Sequence, residues 1–288
     1  MKYATLLSMS LLLIAQAIAA KPAKKANPFF ALCMDTHDAR KRNLAQQAEL
    51  LKELGYDGAG HLWLKNVPRR LKTLDAAGLK LFHIYMRVSV KPGNKRPYDP
   101  QLEDVVKTLK GRRTALVLLV GGLKPSETKG DPRAVELVSQ IAEIAAKSSL
   151  DVILYPHTGD WLQSVGDAVR IAKKVKRKNV GVMFNLCHWL KAERGENLEK
   201  TLKAAAPHLK GVSIHGADTA AEIASRKGKW IQPLGDGSFD VAGLVKLLKD
   251  IGYAGPIGLQ CYGLRGDARE HLARSIEAWR KMRKQLDK

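Results

Sequence analysis

The sequence predicts an α/β fold of the (β/α)₈ (TIM) barrel class, as a single domain behind an N-terminal export signal. Three observations predict it. Short apolar runs alternate with amphipathic stretches eight times, the pattern of βα units around a parallel sheet. Removing 20 residues from 288 leaves 268, which suits a closed barrel of about 250 residues better than an open sheet. No GxGxxG follows the first apolar run, so the dinucleotide-binding form of an open sheet has no support.

Residues 1–20 carry one lysine, an apolar run and small residues ending Ala17-Ile18-Ala19, the layout of a cleaved secretory signal. The run falls short of the roughly 17 to 25 apolar residues of a membrane span. Export to the periplasm or medium is therefore expected, with a basic tether over 21–27 and the barrel over 28–286. The first strand is read at 28–34 (PFFALCM), followed by a helix over 41–54 that Gly55 closes. A strand and loop at 56–64 precede a helix over 67–77, closed by Gly78. Strand three is 79–88, and a basic loop leads to a helix over 101–109. The nearly all-apolar run 114–120 is strand four, and the helix at 132–148 carries proline in its first turn. Strand five is 152–155, with a helix over 164–176. Strand six is read as VGVMFNLCH, 180–188. A helix over 198–206, strand seven at 211–214, a helix over 239–251, strand eight at 257–259 and a helix from 268 to about 283 complete the chain.

The net charge of +21 falls only to +20 when Lys2 leaves with the signal. Its lysines are scattered along helices without interleaved aromatics, so no specific nucleic-acid partner is expected. Loose adhesion to anionic surfaces suits such a field better. Three cysteines without CxxC spacing make a structural zinc site unlikely and leave buried thiols or one disulfide open.

Ligands of such barrels bind where strand carboxyl ends meet the following loops. The residues there are rich in imidazoles and amides and poor in carboxylates. His157, His188 and His215 form the strongest set, able to move protons, donate to sugar hydroxyls or ligate a metal. Asp218, three residues after His215, could orient a histidine or cap the next helix. Tyr155, Asn185, Gln260 and Tyr262 offer hydrogen bonds to hydroxyls, and Trp189 an aromatic wall against a sugar face. Trp161 has the same two readings as Trp189, sugar wall or loop packing. Arg87, Lys191 and Arg265 could meet an anionic group or serve as solvated charge. Neither GxSxG nor HExxH occurs, which removes two hydrolase signals.

The segments VILYPH (152–157), 167–170, NVGVMFNLCH (179–188), LKGVSIHGAD (209–218), LGDGSFD (234–240), GYAGPIGLQCYG (252–263) and SIEAW (275–279) resemble the xylose isomerase-like sugar phosphate isomerase/epimerase family. The resemblance spans the chain after the signal and implies a TIM barrel with its site over the C-terminal rim. It implies a small carbohydrate or keto-sugar as substrate. It also implies a divalent metal held by Glu, Asp, His and Glu at the ends of strands five to eight, the glutamates exchanging protons beside the carbonyl. Those positions fall on Tyr155, Asn185, His215 and Gln260, and the family's substrate-contacting histidine on His188. Three of four ligands have thus lost a carboxylate, and neutral oxygens hold Mg²⁺ or Mn²⁺ poorly. Three expectations stay open. His157 and His188 with Asp218 run altered chemistry; the pocket only binds a sugar, as a binding or scaffold protein; or His157, His188 and His215 weakly hold a softer metal.

Overall fold

A computed structural model describes residues 27–286 of the protein. The expected signal, residues 1–20, and all of the expected tether but Asn27 lie outside the described residues. In chain order the elements are β1 (Phe29–Leu32), α1 (Leu44–Leu54), β2 (Gly58–Leu62), α2 (Val67–Ala77), β3 (Lys80–Ser89), α3 (Leu102–Thr108), β4 (Ala115–Gly121), α4 (Asp131–Ala146), β5 (Val152–Leu154), α5 (Val165–Val175), β6 (Val180–Asn185), α6 (Leu186–Glu193), α7 (Leu198–Ala205), β7 (Leu209–Ile214), α8 (Ala220–Ala224), α9 (Val241–Asp250), β8 (Ile257–Gln260) and α10 (Ala268–Leu286). The strands are all parallel and close in sequence order, β8 pairing back onto β1 through Phe29↔Ile257 to Leu32↔Gln260. Closure leaves no free sheet edge.

Period-two alternation sorts the strand side chains into two cores. Phe30, Leu32, Tyr85, Val117, Ile153 and Met183 fill the barrel lumen. The opposite faces pack against the helices, where Phe29 stacks on Trp279 with centroids 4.4 Å apart. Gly258 is small because the Phe30 ring occupies the lumen beside it; an added Cβ would lie 2.8 Å from that ring.

The structure changes several boundaries. The first strand stops at Leu32 because Cys33 adopts φ 58° and turns the chain. Asn27, read as tether, is tied to the barrel by its Nδ2, which donates to Gly255 O at 2.8 Å. Strand six ends at Asn185, not His188. Asn185 takes extended dihedrals and its side-chain oxygen accepts the His188 N–H, so it caps a new helix, α6. The short α8 is capped by Thr219 rather than Asp218. All three cysteines are buried free thiols. Among the described residues, no helix is long and apolar enough to cross a membrane.

The loops after β1 and β8 are locked by one buried carboxylate. Asp38 accepts from the backbone of Arg40, Arg42 and Ala268 and from the Arg42 guanidinium at 2.9 Å. Burial alone would raise its pKa, but these donors more than offset that and hold it below the usual carboxylate range. The stabilisation is therefore complete above pH ~4, the ordinary Asp value, and disappears as pH falls through the lower native value. Asp38→Asn is expected to cost about 2 kcal/mol at pH 7. In urea titrations its gap from wild type should narrow on acidification to pH 3; a constant or widening gap would contradict this assignment.

Candidate functional site

At the C-terminal rim a cavity of about 490 Å³ opens over the lumen, within the usual range for small-molecule sites. Its floor carries Tyr155 and Gln260 and its wall His157, Thr158, His188 and Lys191. Each comes from the end of a strand or the first turns that follow, where the barrel delivers polar groups without burying backbone orphans.

Asn185 organises the floor. Its Nδ2 donates to Tyr155 Oη at 3.0 Å and to Ser213 Oγ at 2.6 Å, while its Oδ1 takes the His188 N–H at 3.0 Å. Burial, with Cys33 and Cys187 nearby, pushes the Tyr155 hydroxyl well above its usual pKa, and a hydrogen bond from Gln260 offsets only part of this. Tyr155 is thus a neutral phenol at any physiological pH.

The two rim imidazoles lie side by side, His157 and His188 having centroids 4.1 Å apart. His188 Nδ1 accepts the Thr158 backbone N–H at 3.2 Å. The neutral ring must then carry its proton on Nε2, which has no protein partner and serves as a donor toward the cavity. Burial first, then His157, Lys191 and His215, lower its pKa to about 2. His157 is also lowered, chiefly by burial and also by Arg87 and Lys191, with Asp160 opposing. Its Nδ1 lies 3.4 Å from Asp160 Oδ2 without the alignment of a hydrogen bond.

The remaining residues read from the sequence divide. Tyr262 stands at the cavity mouth, 56% exposed. Asn185 lies beneath the cavity with its donors and acceptor spent. Trp189 is buried between Phe184 and Phe239, centroids 5.8 and 6.0 Å away, so it is core and not a sugar wall. Trp161 is likewise buried, its Nε1 donating to Glu127 O. Asp218 does not reach the cavity. Its carboxylate accepts the Lys229 and Ser238 backbone N–H groups at 2.7 and 3.1 Å and braces the loop after β7. Two residues went unread. Asp160 is the carboxylate beside an imidazole, and Trp63, 42% exposed with φ 69°, shares the mouth with Tyr262. The HxxD spacing of His157 and Asp160 was a readable signal; Trp63 had none beyond its place after a strand.

Of the four positions where the resemblance implies metal ligands, one offers a suitable donor. His215 is fully buried, its Nδ1–H donates to Gly216 O at 2.8 Å, and its Nε2 lone pair has no partner. That is the tautomer a metal ligand needs. Its companions do not fit: Tyr155 stays protonated, Asn185 Oδ1 is spent on the α6 cap, and Gln260 supplies a neutral amide. Among the described residues no three His, Cys, Asp or Glu side chains are grouped to hold an ion. The set of His157, His188 and His215 read as ligands is therefore not assembled as one.

A family model described as "Xylose isomerase-like TIM barrel" matches residues 48–282. D-Psicose 3-epimerase from Clostridium cellulolyticum H10, solved with D-tagatose, superposes with TM-score 0.67 at 17% identity, covering 90% of this chain and 99% of its own. 3-Keto-D-glucoside 4-epimerase from E. coli gives 0.67 at 15%, covering 90% and 99%. A xylose isomerase domain protein from Planctomyces limnophilus gives 0.69 at 17%, covering 91% and 99%. No curated protein matches the chain.

The tautomer assignment has a direct check. Long-range ¹H–¹⁵N spectra from pH 5 to 8 should show His188 protonated on Nε2 and unchanged throughout. His215, whose pKa burial lowers to about 4, should be protonated on Nδ1 and change only at the acidic end of that range. A His188 titration near pH 6.5 would contradict the hydrogen bond from Thr158.

Proposed function

The chain belongs to the xylose isomerase-like TIM barrel family, and from that premise we propose that it is a sugar isomerase/epimerase-like protein. Its substrate is a small keto-sugar held in the rim cavity, and its chemistry does not rest on a carboxylate-bound metal. The observation that carries the reading is the cavity itself. Hydrogen-bonding groups from Tyr155, Gln260, Thr158 and His188 line its floor and wall beside the Lys191 ammonium, and Trp63 and Tyr262 offer aromatic faces at its mouth. Hydroxyls take hydrogen bonds from such donors, while the C–H face of a pyranose or furanose packs on an aromatic ring. The epimerases that share the fold act on sugars of this size, which agrees with the assignment.

Within this reading each group has a distinct task. His188 Nε2–H donates to the carbonyl oxygen, where negative charge grows as the neighbouring C–H loses its proton. His157 takes that proton; Asp160 then faces an imidazolium and stabilises it. Returned by His157 to the adjacent carbon, with the neighbouring hydroxyl's proton passing to the enediolate oxygen, that proton isomerises the sugar; inversion of the first carbon instead requires the enediolate to turn so that its opposite face meets His157. Tyr155 and Gln260 hold hydroxyls of the same ligand from the floor.

A non-catalytic sugar-binding role is favoured by one observation: burial and nearby cations weaken His157 as a base. Proton exchange separates the two. D-Fructose, D-psicose and D-tagatose incubated in D₂O should gain deuterium beside the carbonyl, and His157→Gln should slow this by about 10² or more. Binding without deuterium uptake would leave only the binding role. Replacing both Trp63 and Tyr262 with alanine should weaken sugar affinity about tenfold by calorimetry, since each ring contact is worth about 0.5–1.5 kcal/mol. Unchanged affinity would remove the mouth from the site.

A further inference from the structure

A second cavity, of about 720 Å³, lies beside the first at the ends of β3 and β4. Trp63 and Arg87 line both, so the two spaces meet across the Trp63 ring and the guanidinium 5.6 Å from its centroid. The outer wall is the segment 96–100, which pairs with the end of β3. Ser89 N donates to Pro97 O at 2.7 Å, and Val88 forms an antiparallel bridge with Tyr98. Asp99 fixes the following turn by accepting the Gln101 N–H at 2.9 Å. The wall is therefore preformed, as ligand sites usually are. Tyr98, half-buried, gives this cavity an aromatic ring that the rim cavity does not touch. The lining charges also balance, two guanidiniums (Arg87 and Arg96) against two carboxylates (Asp99 and Asp160). Asp160 links the two spaces, its Oδ2 lying 3.5 Å from Arg87 Nη1 and 3.4 Å from His157 Nδ1.

We infer that the ligand is longer than one sugar: a glycosylated ketose whose keto unit lies in the rim cavity and whose second glycosyl unit lies in this neighbouring cavity, against Tyr98. The inference rests on the carbohydrate reading and extends it. A cavity with equal numbers of fixed cations and anions offers a charged ligand no net attraction. A hydroxyl, which both donates and accepts, is served by guanidinium and carboxylate alike, through charge-assisted hydrogen bonds. A sugar ring also carries an apolar C–H face, for which Tyr98 and the adjoining Pro97 and Pro100 provide the surface. Trp63, common to both cavities, is then the wall that the glycosidic bond crosses. A free ketose would fill the rim cavity and leave the second one to water.

Calorimetry with D-fructose and its D-glucosides turanose, maltulose and isomaltulose, which are linked at different hydroxyls, tests this. At least one glucoside should bind about fivefold or more tighter than D-fructose, the effect of one further aromatic contact. Tyr98→Ala should bring that glucoside down to the affinity of D-fructose. Backbone amide spectra of the wild-type protein give a reading that needs no substitution: the tighter glucoside should shift Ser89, Gly122 and 96–100, and D-fructose should not. Glucosides that bind no tighter than D-fructose, a gain that survives in Tyr98→Ala, or amide shifts confined to the rim cavity would overturn the second site while the carbohydrate reading stands. Failure of all four sugars to bind would overturn both.

Discussion

The amide of Asn185 is the interaction on which the rim depends. One side chain ends β6, starts α6 and fixes the Tyr155 hydroxyl and Ser213 below the cavity. An aspartate there could keep the cap and accept from both hydroxyls; the amide reverses those two bonds, so that Tyr155 Oη and Ser213 Oγ accept and keep their own protons free to donate. Because α6 begins at that cap, the placement of His188 and Lys191 follows from the same residue.

Neutral groups at three strand ends, where the family resemblance places carboxylates, set the electrostatics of the site. The matched positions at strands five, six and eight now carry a phenol and two amides. The cavity lining itself holds two cations, Lys191 and Arg87, and no carboxylate, with Asp160 just outside it against Arg87 and His157. In the proposed reading, polarisation of the ligand carbonyl falls to the His188 Nε2–H. His215 keeps the geometry of a ligand, with an unpartnered buried nitrogen, but has no partners to share an ion with.

Much of this was legible in the sequence, because barrel strands announce themselves as short apolar runs and their ends as polar interruptions. The eight-unit rhythm and the positions of Tyr155, Asn185, His215 and Gln260 needed only that pattern and the family resemblance. What was not legible was direction. His157 and His215 each have an aspartate three residues later. In the tight turn after β5 the carboxylate comes back beside the imidazole, whereas Asp218 is consumed by backbone donors of its own loop. Trp189 and Trp63 both follow strands, yet helix α6 turns one into the core while a left-handed backbone leaves the other at the mouth. The run LCH after Asn185 reads as strand continuation by hydropathy alone; its helical state comes from the cap, a bond that apolar periodicity does not encode.

The proposal that this rim does without a divalent ion rests on its donor set, a protonated phenol, an amide spent on a helix cap, a neutral amide and one buried imidazole. Elemental analysis of the protein purified without added metal or chelator tests that claim most directly. The donor set predicts far less than one Mg²⁺, Mn²⁺, Zn²⁺ or Co²⁺ per chain after dialysis, with no shift in unfolding temperature on adding these ions at micromolar concentration. One tightly held ion per chain, lost on His215→Ala, would contradict it.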